Sequence, residues 1–290
     1  MPLSATVDDQ LLCAPLLDEA AWARLRGRRI VLQPCGHPGF PRVSPLGTRH
    51  FVHSRDSSCT AHESPEHLHL KAVVARAASS AGWQAATEVA GDGFVADVLV
   101  RGPTGQVAFE VQRSAQVLRE YERRQAGYEA AGIRCVWLVA RIPTGHRAGA
   151  GLPLFLVDGW QGDPRCVISG RSMAVPSFVG ALLAGRCRWR ESVPGQAVTV
   201  ETLRQMCPVC ATEREVEVAR WSRGACACGL PVLHSTGGIG WAQVGRCCGH
   251  WGPMLTLAAA VRTEPTDRAV PGGHWCVSSS GPRRSPGRPG

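Results

Sequence analysis

The stretch from residue 63 to residue 141 constrains the fold most strongly, because helix and strand patterns alternate in it between clear start and stop signals. A helix is predicted from Ser64, a typical N-cap residue, and Pro65, which suits the first turn, to about Ala81 before Gly82. Three strand patterns follow, WQAATEV, FVADVLV and VAFEVQ, and GPTG forms the turn before the last one. A helix followed by three strands is therefore expected.

A second helix and a fourth strand complete the alternation. Ser114 can cap this helix, which we expect to run to about Ala131 before Gly132 ends it. The next segment, IRCVWLVAR, is almost continuously apolar, as in a strand buried on both faces. Two further segments, LPLFLVDGW and RCVISG, extend the sheet or cover its edge, and VPSFVGALLAGRCRW reads as an amphipathic helix. The pattern predicts an α/β core over residues 63–195.

Length and hydropathy place the chain among globular proteins of one and a half to two domains, since 290 residues compare with about 100–200 residues per domain. The sequence contains no apolar run of about 18 residues, so we expect no transmembrane span and no membrane partner. The beginning, MPLSATVDDQ, has two acidic residues and no early basic cluster, which argues against a secretory signal. These features together predict a cytoplasmic protein.

The charge of the chain is compatible with a nucleic-acid partner. Lysine and arginine number 32 against 23 acidic residues, which gives a net charge of +9 and a pI near 9.1. Such a balance suits a polyanion. An arginine-rich genome would equally make many of its chains basic, so charge supports DNA binding without establishing it.

One residue type is used only once: Lys71 is the sole lysine, and every other basic side chain of the Lys+Arg total is arginine. A lysine kept against this bias indicates a position where a compact charge on a four-carbon stem is needed. His67 lies four residues earlier on the same helical face, and Glu63 and Glu66 lie near the start of the helix.

Two carboxylates are predicted to meet in the hairpin that follows. Strand alternation and a turn near Pro103-Thr104 put Asp97 about opposite Glu110, or diagonal to it if Gly105 forms a bulge. A solvated sheet face could carry the same pair, but apolar neighbours suggest central strands, where unpaired charges are rare. A divalent cation between the two would relieve their repulsion, and hard oxygen ligands favour Mg²⁺ or Mn²⁺.

These motifs together resemble the competence protein CoiA-like family, whose nuclease domain belongs to the PD-(D/E)xK superfamily. The resemblance rests on ESPEHLHLK, ADV, FEVQ, Arg124 with Tyr128, and GIRCVWLV. It covers about residues 30–190, including Cys35 and the His50-Phe51-Val52-His53 element. It implies a restriction-endonuclease-like core and metal-dependent cleavage or processing of DNA, which would be linked to uptake and recombination.

Position by position, the resemblance makes Asp97 the motif aspartate and Glu110 the motif glutamate, and both would hold Mg²⁺ or Mn²⁺. Gln112 stands where the superfamily has lysine, and a neutral amide cannot supply a positive charge. Our hypothesis is that Lys71 supplies that charge from the helix. The predicted catalytic residues are Asp97, Glu110, Gln112, Lys71, His67 and Glu63.

DNA contacts are predicted on the second helix and just before it. Arg124 and Tyr128 match the family's R-x-x-x-Y element, either as a phosphate clamp with a stacking ring or as a tyrosine packed on the sheet beside a solvated arginine. Arg113, Arg119 and Arg123 lie nearby and favour backbone contacts. The residues expected to touch DNA are Arg113, Arg124 and Tyr128.

A zinc-finger-like module is predicted over residues 1–62. Thirteen cysteines in a reducing compartment point to metal before disulfides. The turn-rich stretch around Cys35 has little apolar content for a core of its own, so a Zn²⁺ ion would supply folding energy. The proposed ligands are Cys35, His53 and Cys59, with His50 or His37 as the fourth.

A second zinc site, of the ribbon type, is predicted over residues 196–263. Cys207 and Cys210 have two intervening residues, and the spacing to Cys226 and Cys228 fits a ribbon, although Cys247, Cys248 and His250 compete for the second pair. Residues 264–290 are rich in Pro, Gly and Ser and are expected to be disordered.

The function expected from the sequence is phosphodiester hydrolysis in DNA, with recombination or helicase proteins as partners. The alternative is a catalytically inactive DNA-binding scaffold on the same fold, for which the glutamine at position 112 would be the sign.

Overall fold

The computed structural model of the protein describes residues 2–32, 35–54, 63–146, 148–168, 171–191, 198–206, 210–211, 213–221, 240–244 and 273–277. These residues fall into two units, the first over Met1–Arg188 and the second over Trp189–Ser278. The predicted N-terminal module and the predicted core therefore lie in one unit.

The N-terminal part of the first unit is a five-stranded antiparallel sheet with strand order β2-β1-β3-β4-β5. Its elements are β1 (Ser4–Val7), β2 (Gln10–Cys13), a 3-10 turn (Ala14–Leu16), α1 (Glu19–Ala23), β3 (Ile30–Leu32), β4 (Pro38–Val43) and β5 (Arg49–His53). Ala5, Ile30, Leu32 and Phe51 belong to a buried apolar cluster. The stretch around Cys35 thus shares a core with β1, contrary to the expectation that it lacks one.

A seven-stranded mixed sheet forms the rest of the first unit, in the order β12-β11-β10-β9-β8-β7-β6. The elements are α2 (Pro65–Ser80), β6 (Gln84–Gly91), β7 (Phe94–Gly102), β8 (Gly105–Gln112), α3 (Leu118–Ala130), β9 (Arg134–Val139), β10 (Leu154–Asp158), β11 (Arg165–Ile168), β12 (Arg171–Ala174) and α4 (Val175–Leu183). Strands β8, β9 and β10 are parallel, and the other pairs are antiparallel. The predicted order of helices and strands is confirmed.

Local chemistry explains where α2 begins and ends. The Ser64 hydroxyl accepts a hydrogen bond from the His67 backbone N–H at 3.2 Å, and Pro65 occupies the first turn. After the helix, Gly82 adopts φ +80°, which a residue with a Cβ rarely adopts.

The second predicted helix starts later than expected. Helix α3 begins after Val117, whose extended backbone makes it the N-cap, and no side chain caps it. The expectation that Ser114 caps this helix is therefore wrong. Gln112 instead donates its side-chain amide to the Ser114 carbonyl at 3.1 Å, and the segment between β8 and α3 stays irregular. Tyr121 and Tyr128 of α3 pack in one buried cluster with residues of β7, β8, β9 and β10, among them Trp137 of β9.

The second unit contains β14 (Val198–Met206), β15 (Glu213–Trp221) and β16 (Gly240–Val244) in one antiparallel sheet. Cys207, Cys226 and Cys228 of the predicted zinc ribbon lie outside the described residues, and Cys210 is exposed. The same unit holds β17 (Gly273–Val277), which forms a two-stranded sheet with β13 (Cys187–Glu191), a strand whose residues from Trp189 onward belong to this unit. This part of the segment predicted to be disordered is therefore a strand. In the part of the chain that the structure describes, no helix is long and apolar enough to cross a membrane.

The different roles of Ser64 and Ser114 can be tested by substitution. We expect Ser64→Ala to lower the free energy of unfolding by about 1 kcal/mol, because the His67 N–H loses its acceptor. Urea unfolding followed by circular dichroism measures this. Ser114→Ala is the matched control and should change the stability by less than about 0.5 kcal/mol; an equal loss in both variants would contradict the assignment.

Candidate active site

Asp97 lies where β7 and β8 separate. The ladder between these strands runs without a bulge from Gly102↔Gly105 to Val98↔Phe109, and its register continued by one residue would put Asp97 opposite Glu110. Beyond Val98 the Asp97 side chain accepts the Val111 backbone N–H on Oδ2 at 2.9 Å. One carboxylate oxygen is thus fixed by the backbone, and the other points toward α2.

The second oxygen of Asp97 faces two side chains of α2. Asp97 Oδ1 lies 3.4 Å from His67 Nε2 and 3.6 Å from Lys71 Nζ. Burial alone would raise the pKa of Asp97, but the Lys71 charge and the adjacent His67 imidazole hold this pKa well below its usual range. Asp97 is therefore ionised at neutral pH.

Lys71 is fully buried and surrounded by carboxylates. Its Nζ lies 2.8 Å from Glu63 Oε1 and 2.5 Å from Glu88 Oε1, in addition to the Asp97 contact. Burial would lower the pKa of Lys71, but the charges of Glu88, Asp97 and Glu63 raise it above its usual range. The Lys71 ammonium is thus buried, charged, and in contact with three acidic side chains.

Glu88 was missed by the sequence reasoning. The register Thr87↔Val98 and Val89↔Ala96 places it opposite Asp97 on the neighbouring strand β6. Its backbone has φ +52°, and its Oε2 accepts the Leu3 backbone N–H at 3.2 Å. Aligning WQAATEV with FVADVLV as a hairpin would have brought Glu88 next to Asp97, which is the available sequence signal.

Glu110 is buried and held by the two motif residues of α3. Arg124 Nη2 lies 2.5 Å from Glu110 Oε2, and the Tyr128 hydroxyl donates to Glu110 Oε1. Burial and the negative charge of Asp97 raise the pKa of Glu110 to about 8, against the opposing effect of Arg124. The same burial, together with Glu110, raises the pKa of Tyr128, so the phenol stays protonated and donates.

Arg124 and Tyr128 are placed by packing on the face of the sheet that α3 covers. The Arg124 guanidinium lies over the Trp137 ring at 4.7 Å, and Tyr128 packs against Phe94 with ring centroids 4.6 Å apart. Trp137 Nε1 donates to Gln125 Oε1 at 2.9 Å. Both motif side chains thus point to Glu110, and the Tyr128 ring is enclosed.

The remaining predicted residues lie at the edge of this arrangement. Gln112 is half-buried, with its amide on the Ser114 carbonyl. Arg113 is exposed and lies 3.5 Å from Glu66. Neither residue contacts Asp97 among the described interactions.

A group of three side chains could hold a metal ion: Glu63, His67 and Asp97 each offer a ligand atom, and these atoms lie within 4.8 Å of one another. Glu63 Oε2 is buried and makes no hydrogen bond, and the buried His67 Nε2 has only the Asp97 and Glu63 carboxylates beside it, at 3.4 Å and 3.9 Å. Buried polar atoms without partners are rare in proteins, so this donor set fits a divalent cation. The two carboxylates suit Mg²⁺ or Mn²⁺, and the imidazole favours Mn²⁺ of the two, because Mg²⁺ prefers oxygen ligands.

A second candidate metal site joins Cys35, His37 and His53, again with ligand atoms within 4.8 Å. Cys35 Sγ lies 3.2 Å from His53 Nε2, and His37 Nδ1 is buried without a hydrogen-bond partner. His50 is not in this group, because residues three apart in β5 point to opposite faces, and His50 Nδ1 contacts the Thr48 carbonyl instead. Cys59 lies outside the described residues.

Comparison with known proteins identifies one part of the chain. Residues 63–148 match the family model described as competence protein CoiA, nuclease-like domain. No curated protein and no solved structure matches the chain. The matched residues span α2 to the loop after β9, and they include Glu63, His67, Lys71, Asp97 and Glu110.

The buried ammonium should be a major determinant of stability. We expect Lys71→Met to lower the free energy of unfolding at neutral pH by about 3 kcal/mol, because it leaves buried carboxylates without their counter-charge. Urea unfolding measures the loss. Arg123→Met, which removes an exposed ion pair with Glu120, is the control and should cost less than about 1 kcal/mol.

The pH dependence of this loss has a definite sign. The pKa of Asp97 is lowered in the folded state, so the stability from its contact with Lys71 is present above the usual aspartate pKa and is lost as the pH falls toward the lowered value. The difference in the free energy of unfolding between wild type and Lys71→Met should therefore become smaller as the pH falls. A difference that stays constant or grows there would contradict the ion-pair explanation.

Proposed function

We propose, from the CoiA nuclease-like domain at residues 63–148, that this protein is a metal-dependent deoxyribonuclease that hydrolyses phosphodiester bonds in DNA. Processing of incoming DNA for recombination is the setting that the competence family suggests. The observation that carries the proposal is the group formed by Glu63, His67 and Asp97, in which the buried Glu63 Oε2 lacks a hydrogen-bond partner and His67 Nε2 faces the two carboxylates. Asp97 of this group lies beside a further carboxylate, the buried Glu110.

Glu63, His67 and Asp97 would hold Mg²⁺ or Mn²⁺, with Glu110 as the neighbouring motif carboxylate. When bound, such an ion polarises the scissile phosphate and lowers the pKa of a bound water. A cation next to Glu110 would favour its ionised form, which burial otherwise opposes.

The other side chains of the site fix this arrangement. The Val111 N–H holds Asp97 Oδ2, so the opposite oxygen keeps its direction toward α2. Arg124 and Tyr128 hold both oxygens of Glu110. Because Lys71 is enclosed by carboxylates, we propose that it acts through Asp97 rather than directly on the phosphate. Gln112, at the end of β8, remains our proposal for a group that orients water or phosphate.

DNA would bind through its phosphates along the segment that joins β8 to α3. Arg113 is exposed in this segment, and Arg119 and Arg123 are exposed on the adjoining first turns of α3. Guanidinium groups at such positions suit backbone contacts without base readout. Binding of this kind weakens as salt is added.

Zinc is proposed as a structural metal in two places. Cys35, His37 and His53 supply thiolate and imidazole ligands, which zinc prefers, and Cys59 could supply the fourth. The ribbon site at Cys207, Cys210, Cys226 and Cys228 rests on sequence spacing.

Cleavage tests the main proposal. We expect the purified protein to cut labelled single- or double-stranded DNA with Mg²⁺ or Mn²⁺, and to lose this activity with a chelator. Asp97→Asn and Glu110→Gln should reduce cutting to background, because each keeps its shape but removes a carboxylate. Asp92→Asn, in the exposed turn between β6 and β7, is the matched control and should cut like the wild type.

A specific observation also favours a non-catalytic DNA-binding scaffold: Gln112 replaces the motif lysine, and Lys71 is fully buried. Absence of cutting by the wild type on every substrate, with salt-sensitive DNA binding retained, would select this second function.

Metal analysis tests the N-terminal zinc site. We expect Cys35→Ser to lower the zinc content of the purified protein by about one equivalent per chain, since one ligand set is broken. Cys166→Ser is the control, because this buried thiol lies on β11 outside the group. Mass spectrometry of the metal content gives the measurement, and an unchanged content in Cys35→Ser would exclude zinc there.

A further inference from the structure

We propose that Glu88 is a positioning residue for the candidate active site, acting on Asp97 through Lys71. This inference rests on the proposed function, because it concerns how readily the group of Glu63, His67 and Asp97 accepts a cation. Glu88 itself belongs to neither the predicted motif set nor the candidate metal group.

The backbone of Glu88 departs from regular strand geometry. Its φ of +52° lies in the left-handed region, which residues other than glycine, asparagine and aspartate seldom adopt within a strand. Regular pairing of β6 with β7 resumes on both sides, at Thr87↔Val98 and Val89↔Ala96. The irregularity is thus confined to the residue opposite Asp97.

Both carboxylate oxygens of Glu88 are engaged. Oε1 lies 2.5 Å from Lys71 Nζ on α2, and Oε2 accepts the Leu3 N–H from the N-terminal sheet at 3.2 Å. The neighbouring Ser4 and Thr87 hydroxyls lie 2.5 Å apart and add a second contact at this junction between the N-terminal sheet and β6. The Glu88 carboxylate is therefore held from two directions beside the ammonium.

Charge balance explains what this does for the site. The Lys71 ammonium faces Glu63, Glu88 and Asp97, of which only Glu63 and Asp97 belong to the candidate metal group. Without the Glu88 charge, the ammonium would be balanced by Glu63 and Asp97 alone, the carboxylates that a cation needs. Glu88, which is not in the metal group, thus neutralises Lys71 and leaves Glu63 and Asp97 available to the ion.

The N-terminal sheet takes part in this support. Phe51 on β5 donates its backbone N–H to the Pro2 carbonyl at 2.9 Å, and the next residue, Leu3, donates to Glu88. Leu3 also packs in one buried cluster with Leu68 and Ala72 of α2. Residues outside the matched range 63–148 therefore help to fix the carboxylate that compensates Lys71.

The single lysine makes a direct test possible. Full-length protein grown with lysine labelled at Cε and Nζ gives one lysine side-chain signal in an NMR spectrum, and it comes from Lys71. Mn²⁺ bound beside Asp97 would broaden this signal through its unpaired electrons. Titrating Mn²⁺ into wild type, Glu88→Gln, Glu88→Asp, Thr87→Val and Asp97→Asn measures the occupancy of the site without any cleavage assay.

We expect the Mn²⁺ concentration for half-maximal broadening to rise by about 10–100-fold in Glu88→Gln, the usual effect of losing a group that supports a metal ligand. Glu88→Asp keeps the charge, and aspartate tolerates the left-handed backbone. The midpoint of this variant should therefore lie between those of Glu88→Gln and the wild type. Thr87→Val removes the Ser4 contact at the same junction and should leave the midpoint unchanged. If Glu88 only stabilised the fold at this place, Thr87→Val would also raise the Mn²⁺ concentration for half-maximal broadening.

The outcomes separate this inference from the proposed function. Broadening in the wild type that Asp97→Asn abolishes, with wild-type midpoints in both Glu88 variants, would overturn the positioning role and leave the metal site standing. If Glu88→Gln does not fold, an unchanged midpoint in Glu88→Asp has the same meaning. No broadening in the wild type, or broadening that persists in Asp97→Asn, would overturn the metal site and the positioning role together.

Discussion

The buried ion pair network around Lys71 is the interaction on which the rest of the site depends. One ammonium on α2 joins a loop residue, Glu63, to Glu88 on β6 and Asp97 on β7. Removing these charges from water is costly, and only their mutual contacts and the added backbone hydrogen bonds offset the cost. A helix and two strands are thereby held at one relative position, which fixes the direction of the Asp97 carboxylate.

The parts of the fold that the sequence predicted well depend on neighbours in the chain. The N-cap at Ser64 and the two-residue turn at Pro103-Thr104 are local, and a tight turn sets the register of a whole hairpin. That register, continued by one residue beyond Val98↔Phe109, predicts Asp97 opposite Glu110 without any knowledge of the tertiary structure. The apolar strand β9 was equally clear, because burial on both faces leaves no polar positions.

The parts that could not be predicted depend on contacts between distant segments. Nothing near Arg124 and Tyr128 in the sequence indicates that both hold Glu110, which lies on another element. The left-handed backbone of Glu88 has no glycine to signal it. His50 and His53 belong to one short motif, yet only His53 faces Cys35, since alternation along β5 sends them to opposite sides. The predicted start of α3 is wrong because Ser114 is a residue type that commonly caps helices, but the N-cap position is occupied by Val117.

The burial of the only lysine also changes the chemical character of the protein surface. Acylating reagents, enzymes that modify lysine and amine-directed crosslinkers all need an accessible neutral amine, and Lys71 is fully enclosed with its pKa held above the usual range. The folded protein presents arginine as its basic side chains and withholds its lysine from such reagents. Acylation of Lys71 therefore requires local unfolding of this part of the molecule. Its rate measures how often α2 separates from β6 and β7.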